Sequence, residues 1–168
     1  MQDELINRVA NSGLVTLDLE EYTDKGERVL LDIKDQLFQG MLLREKDFRE
    51  FIKNHNWEAY RGKHVALTCS SDAIVPKWAY MLLMQALSPY AGLVVFGNLE
   101  SLEAVLVQHA LQRINPETFR DQRVVVKGCG DKEIPEAAYV EITRLLTPVV
   151  KSILYGEPCS TVPVYKKK

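Results

Sequence analysis

At 168 residues the chain fits one domain and is long enough to bury about 70% of the surface its unfolded form exposes. Apolar residues at 46% and charged residues at 26% exclude an intrinsically disordered chain. Twenty-one Lys plus Arg against 23 Asp plus Glu leave a net charge of −2, which supplies no global field for nucleic acid or an acidic membrane.

Taken in chain order, residues 1–10 read as a short helix with Leu5, Ile6 and Val9 on one face, stopped by Asn11-Ser12-Gly13. Leu14 to Leu19 alternate weakly as a strand, and Arg28 to Leu37 read as another, with Val29, Leu31 and Ile33 on one side. Gly40 and MLLR suggest a short strand or turn, and residues 45–55 a helix carrying Phe48, Phe51 and Ile52. His64 to Cys69 is an apolar strand. Pro76 opens a helix, Gly92 to Gly97 is a second buried strand, and Leu99 to Ile114 an amphipathic helix. Arg123 to Gly128 is a third buried strand, and Pro135 opens a last helix. Apolar strands alternating with helices predict an α/β fold in three layers, a mostly parallel sheet with helices on its faces. The N-terminal strands extend this sheet, with an antiparallel edge among the options. No linker composition divides the chain, so residues 1–168 read as a single α/β domain. No run of about 18 apolar residues is present, and MQDELINRVA lacks the signal-peptide pattern. With three cysteines, an odd and low number, the expected compartment is the reducing cytoplasm.

Two segments are built alike, ALTCSSDAIVPKWAYML and VVKGCGDKEIPEAAYVE. Matching their features pairs Cys69 with Cys129, Pro76 with Pro135 and Ala79-Tyr80 with Ala138-Tyr139, with loops differing by one residue. Proline at the first helical position loses nothing by lacking an N–H. Each Cys then stands at the carboxyl end of a strand, the edge at which open parallel sheets bind ligands. If the His64 strand lies between the Gly92 and Arg123 strands, the two cysteine strands are neighbours, ~4.8 Å apart. If the Gly92 strand separates them, the spacing is ~10 Å. Cys is also a common buried small hydrophobe, so packing alone accounts for either position.

Cys159 lies in GEPCSTVPVYKKK. One helix from Pro135 to Leu154 would run ~30 Å and carry it to the opposite edge. Thr147-Pro148 should stop that helix near Leu146, and a second short helix, Pro148 to Tyr155, would then turn back toward the cysteine edge. Three convergent thiolates make a site for zinc, iron or an iron–sulfur cluster, with Asp72, Asp131 or Glu157 as the fourth ligand. The intervals of 60 and 30 residues contain no close cysteine pair, so spacing alone does not point to zinc. A Cys129 nucleophile would need a base, and neither His64, at a strand start, nor His109, in mid-helix, reaches that edge. Lys127 is a candidate for binding an anion or activating a thiol, or is simply a solvated strand end. Lys166 to Lys168 read as a frayed basic end.

The blocks NRVANSGLVTLDLEEY, LLREKDFREFIKNHNWEAY, CSSDAIVPKWAYMLL, VVVKGCG and YGEPCSTVPVYK resemble the domain-of-unknown-function family numbered 2480, small proteins found mainly in Bacteroidetes bacteria. The resemblance spans nearly the whole chain, includes all three cysteine blocks and departs at Lys77. It supplies no mechanism. It implies a place beside the sulfur-mobilisation machinery of iron–sulfur cluster assembly, near which such genes tend to lie. The expectation is therefore an accessory protein of iron–sulfur or sulfur metabolism, leaning away from an enzyme. Cys69, Cys129 and Cys159 would bind metal or accept sulfur, Asp72 would orient the site, and iron–sulfur assembly proteins would be the partners. The alternatives are a non-catalytic interaction domain using the C-terminal segment, or a small-molecule enzyme with Cys129 as nucleophile.

Overall fold

The computed structural model describes residues 13–128 and 130–168. The helix expected over residues 1–10 lies outside the described residues, as does Cys129. Among the described residues seven strands and four α-helices follow one another: β1 (Leu14–Asp18), β2 (Arg28–Asp32), α1 (Glu45–Asn54), β3 (His64–Thr68), α2 (Lys77–Leu87), β4 (Leu93–Phe96), α3 (Leu99–Leu111), β5 (Arg123–Lys127), α4 (Glu136–Leu146), β6 (Ser152–Glu157) and β7 (Ser160–Lys166). The fold class is α/β, in two sheets. One has the order β2-β3-β4, all parallel. The other has the order β1-β5-β6-β7, parallel except for β7. The chain divides accordingly into two compact units, residues 25–106 and residues 1–24 with 107–168, with the boundary inside α3.

This topology corrects the single-sheet arrangement. The two cysteine strands do not share a sheet, because β3 pairs with β2 and β4 while β5 pairs with β1 and β6. Both N-terminal strands pair in parallel, and the antiparallel edge is β7. The Arg28 strand stops at Asp32, whose carboxylate takes the N–H of Lys34 and starts a 3-10 turn, Lys34–Gln36. Proline stands one position earlier than expected. Pro76 and Pro135 are extended N-caps, with ψ of 141° and 146°.

In the unit of residues 25–106, β3 is the central strand, and its HVALT run is apolar on both faces because both are covered. Leu31, Ile33, Val65 and Leu67 face Phe48 of α1 and Ala79, Leu83 and Leu87 of α2. Ala66 faces Leu102 and Leu106 of α3 on the other side. In the second unit Leu17, Val124, Val126 and Ile153 face Val107 and Leu111 of α3 and Ala138, Ile142 and Leu146 of α4. Each fully buried aliphatic side chain contributes roughly 1.5–3 kcal/mol through its removal from water.

The two units are one construction used twice, at a constant spacing of 59 residues: Tyr60 to Phe119, Pro76 to Pro135, Tyr80 to Tyr139, Leu83 to Ile142, Pro89 to Pro148 and Gly97 to Gly156. Sheet register obeys the same spacing, since His64 pairs with Leu93 and Arg123 with Ser152. β1 and β2 are the matching edge strands, each ending in Asp before a buried Leu19 or Ile33. Ser88-Pro89 and Thr147-Pro148 end the matching helices because proline cannot supply the next backbone donor. Gly97 and Gly156 both lie at positive φ, 137° and 119°, where a side chain would be strained.

The ungapped spacing also corrects the pairing of the two cysteines. Cys69 corresponds to Gly128, and Cys129 corresponds to Ser70.

The short helix expected from Pro148 to Tyr155 is instead β6, an apolar run whose Ile153 is buried on the sheet beside β5. Of the expected frayed end, Lys166 closes β7 opposite Ser152 and the Lys167 N–H bonds to the Lys151 carbonyl at 2.9 Å. Pro163 is tolerated there because β7 is an edge strand and its register breaks at Ile153/Leu154. Among the described residues no helix is long and apolar enough to cross a membrane.

Candidate functional site

Each unit presents a carboxyl edge, where parallel strands end and loops lead into helices. In the unit of residues 25–106 this edge is organised by Asp32. Its Oδ1 accepts the N–H groups of Lys34 at 3.0 Å and Ser70 at 3.1 Å, and the Ser70 hydroxyl donates to Oδ2. Burial works against the Asp32 charge, but the Ser70 and Lys34 hydrogen bonds outweigh it and hold this carboxyl below its usual range. Cys69 directly follows β3, half-buried, with Sγ 3.9 Å from the Ser71 carbonyl oxygen. The Ser71 hydroxyl donates to the Gly40 carbonyl at 3.0 Å, and Leu42 bridges to Ile74, so residues 38–42 brace the loop. The rings of Tyr80 and Phe96 meet edge to face, with centroids 5.0 Å apart. Burial raises the Tyr80 hydroxyl's pKa, and Cys69 and Asp32 raise it further. Asp72 is exposed in the same loop.

In the other unit the edge is charged. Lys127 Nζ lies 3.4 Å from Glu157 and 3.8 Å from Asp18. The hydrogen bond and charge of Glu157, then the charges of Asp18 and Glu20, hold the ammonium above its ordinary pKa. Asp18 also takes the Glu20 N–H at 2.9 Å. Tyr139 donates to the Gly128 carbonyl at 3.1 Å and meets Tyr155 edge to face at 5.7 Å. A side chain at Gly128 would collide with the Tyr139 hydroxyl, which explains glycine where the first unit has Cys69. Beside these rings, Val126, Tyr139, Thr143, Ile153, Leu154, Tyr155 and Val164 line an apolar recess of about 310 Å³.

The parallel course of β6 carries Cys159 to this edge, where β5 also ends. β6 finishes at Glu157, and Cys159 sits exposed in the turn to β7. The return toward the edge is therefore made by a strand instead of the expected helix. Cys129 follows Gly128 and lies outside the described residues. Cys69 belongs to one unit and Cys159 to the other. Among the described residues no three His, Cys, Asp or Glu side chains gather in a group able to hold a metal. Glu157 is drawn to Lys127, so a metal ion there would compete with an ammonium, and Asp131 is exposed.

None of the three histidines stands at a carboxyl edge. His55 lies after α1, its Nε2 3.0 Å from the Tyr60 hydroxyl, in a cluster with Phe51 and Trp57. His64 begins β3 and His109 is in α3. The two aspartates that organise the edges were not singled out from sequence. Their signal was the shared ending of β1 and β2, a buried Leu followed by Asp.

No curated protein and no solved structure matches the chain. A family model described as "Protein of unknown function (DUF2480)" matches residues 3–167, nearly the full length, and the chain belongs to that family.

Proposed function

We propose that this protein handles iron, zinc or sulfur through thiols at its carboxyl edges, as an accessory of iron–sulfur cluster assembly. The observation that carries this reading is the course of β6. Running parallel to β5, it returns the turn bearing Cys159 to the edge where Lys127 and Gly128 lead into Cys129. Cys129 and Cys159 would supply the thiolates, the competent form for either role. A thiolate ligates a soft metal directly, or attacks the outer sulfur of a donor persulfide, keeping that sulfur and releasing the donor thiolate. Lys127, held between Asp18 and Glu157, places a fixed positive charge at this edge. Cys69, with Asp72 three residues on, offers a thiol at the corresponding edge of the other unit.

The test is anaerobic purification with measurement of iron, zinc and acid-labile sulfide, repeated on Cys129→Ser. Bound metal or sulfide that the substitution removes is the expected result. Absence of all three, with thiols of equal ordinary reactivity, would overturn the reading.

A second reading, a non-catalytic interaction domain, is favoured by the exposed Val162 and Val164 of β7. Deleting residues 157–168 is an unsuitable test, because it removes β7 from its sheet. Val164→Asp should weaken partner capture while Cys→Ser changes leave it intact.

A further inference from the structure

The internal repeat shows what one unit does with an edge that the other leaves open. Among the described residues β6 is covered on its outer side by β7, whereas β4, the matching strand, ends its sheet. Unpaired edges are ordinarily guarded by charge, proline or a bulge. β2 carries Arg28 and Asp32, and β7 carries Pro163, a register break and Lys166. β4 is Leu93-Val94-Val95-Phe96 and has no such guard.

The face beside it is bare in the same way. Met81 is 70% exposed, Phe96 68% and Met84 45%, and Tyr80 stacks edge-on against Phe96. Tyr80, Met81, Met84, Gln85 and Ser88 line an open groove along α2. From Trp78 to Leu99 the chain carries no charged side chain, whereas the matching stretch contains Glu141, Arg144, Lys151 and Glu157. A twofold axis sets each group of such a patch against the same patch, so any charge there would be carried into the interface by both copies. This patch brings none. An uncharged apolar strand laid antiparallel to itself satisfies its own open donors and acceptors, as β7 does for β6.

We infer that the α2–β4 face docks a second copy of this chain, extending the β2-β3-β4 sheet across a twofold axis through β4–β4 pairing. An interface centred on a four-residue strand belongs to the smaller size class, so the dimer should dissociate in the micromolar range, about 1–100 µM.

Sedimentation equilibrium from about 1 to about 500 µM protein tests this. The expected result is a monomer–dimer equilibrium whose dissociation constant rises at least ~10-fold in Met84→Glu and in Phe96→Lys, with unchanged thermal unfolding of the monomer. Val140→Glu, at the matching place on α4, should leave it unaltered. Hydrogen exchange on the unaltered chain reads the same interface without a substitution: amides of β4 should gain protection as protein concentration rises. A wild type that stays monomeric throughout assigns this face to another partner and overturns the inference. So does a dimer indifferent to Met84→Glu and Phe96→Lys, or β4 exchange independent of concentration.

Discussion

The unit of residues 25–106 and the unit of residues 1–24 with 107–168 share a scaffold and differ in what they put on it. The shared part is the set of positions that decide folding: Val65 and Val124, Ala79 and Ala138, Leu83 and Ile142, Leu87 and Leu146, all buried. The helix stops at Pro89 and Pro148 and the turns at Gly97 and Gly156 belong to the same set. The differing part lies at the rims. One edge holds the Asp32 carboxylate hydrogen-bonded to Ser70, next to Cys69, and the other holds Lys127 between two carboxylates. Among the described residues β4 ends its sheet, whereas β6 is covered by β7. The contrast teaches that buried side chains and chain breakers preserve an architecture, while strand ends and open edges are free to take separate chemistries.

The largest test of this equivalence lies in the cores. Leu83→Ala and Ile142→Ala each empty a fully buried position and should each cost about 2–5 kcal/mol in urea unfolding. A loss confined to one of them would break the equivalence.

Next comes the position where the edges exchange Cys69 for Gly128. Gly128→Ala drives a methyl into the Tyr139 hydroxyl and should cost about 1–3 kcal/mol. The double variant with Tyr139→Phe should recover much of that, since the colliding oxygen is gone.

A smaller difference is expected at the paired aspartates. Asp32→Ala frees three donors and should cost about 1–2 kcal/mol. Asp18→Ala, which releases the Glu20 N–H and the looser Lys127 pair, should cost less. Because the Asp32 carboxyl is held below its ordinary value of about 3.9, its stabilisation is complete above that pH and fades as pH falls through the lower folded value. Asp32→Ala should therefore flatten the acid limb of the stability profile below about pH 4.

The smallest effect concerns His55, which the second unit replaces by Ile114. Burial holds the His55 pKa below the usual value of about 6.5. Its neutral form stabilises the fold above that pH, and the contribution is lost as pH falls through the folded value. Thermal unfolding between about pH 7 and 5 should decline less steeply in His55→Phe than in the wild type.

Much of this organisation was legible in the sequence. Apolar runs such as HVALT and RVVVK announced central parallel strands, and Thr147-Pro148 marked the end of α4 at Leu146. The division into two sheets was not legible, because periodicity says which face of a strand is buried and not which strand is its neighbour. The short apolar run SILY fits helix or strand equally, and only its pairing with β5 makes it β6. At the edges, Lys127 and the cysteines stood out by residue type. The roles of Asp18 and Asp32 emerged only when register set them beside Lys127 and Ser70. The pairing of Cys69 with Cys129 rested on residue likeness across loops, and the ungapped spacing of 59 residues replaces it.

On the proposed reading Cys129 and Cys159 would bind one soft metal ion together. Titration of the reduced, anaerobic protein with cobalt(II), followed by thiolate-to-metal charge-transfer absorption, tests it most directly. The expected result is a saturable band that is lost in Cys129→Ser and equally in Cys159→Ser. A titration without such a band, or a band that survives either substitution, would contradict it.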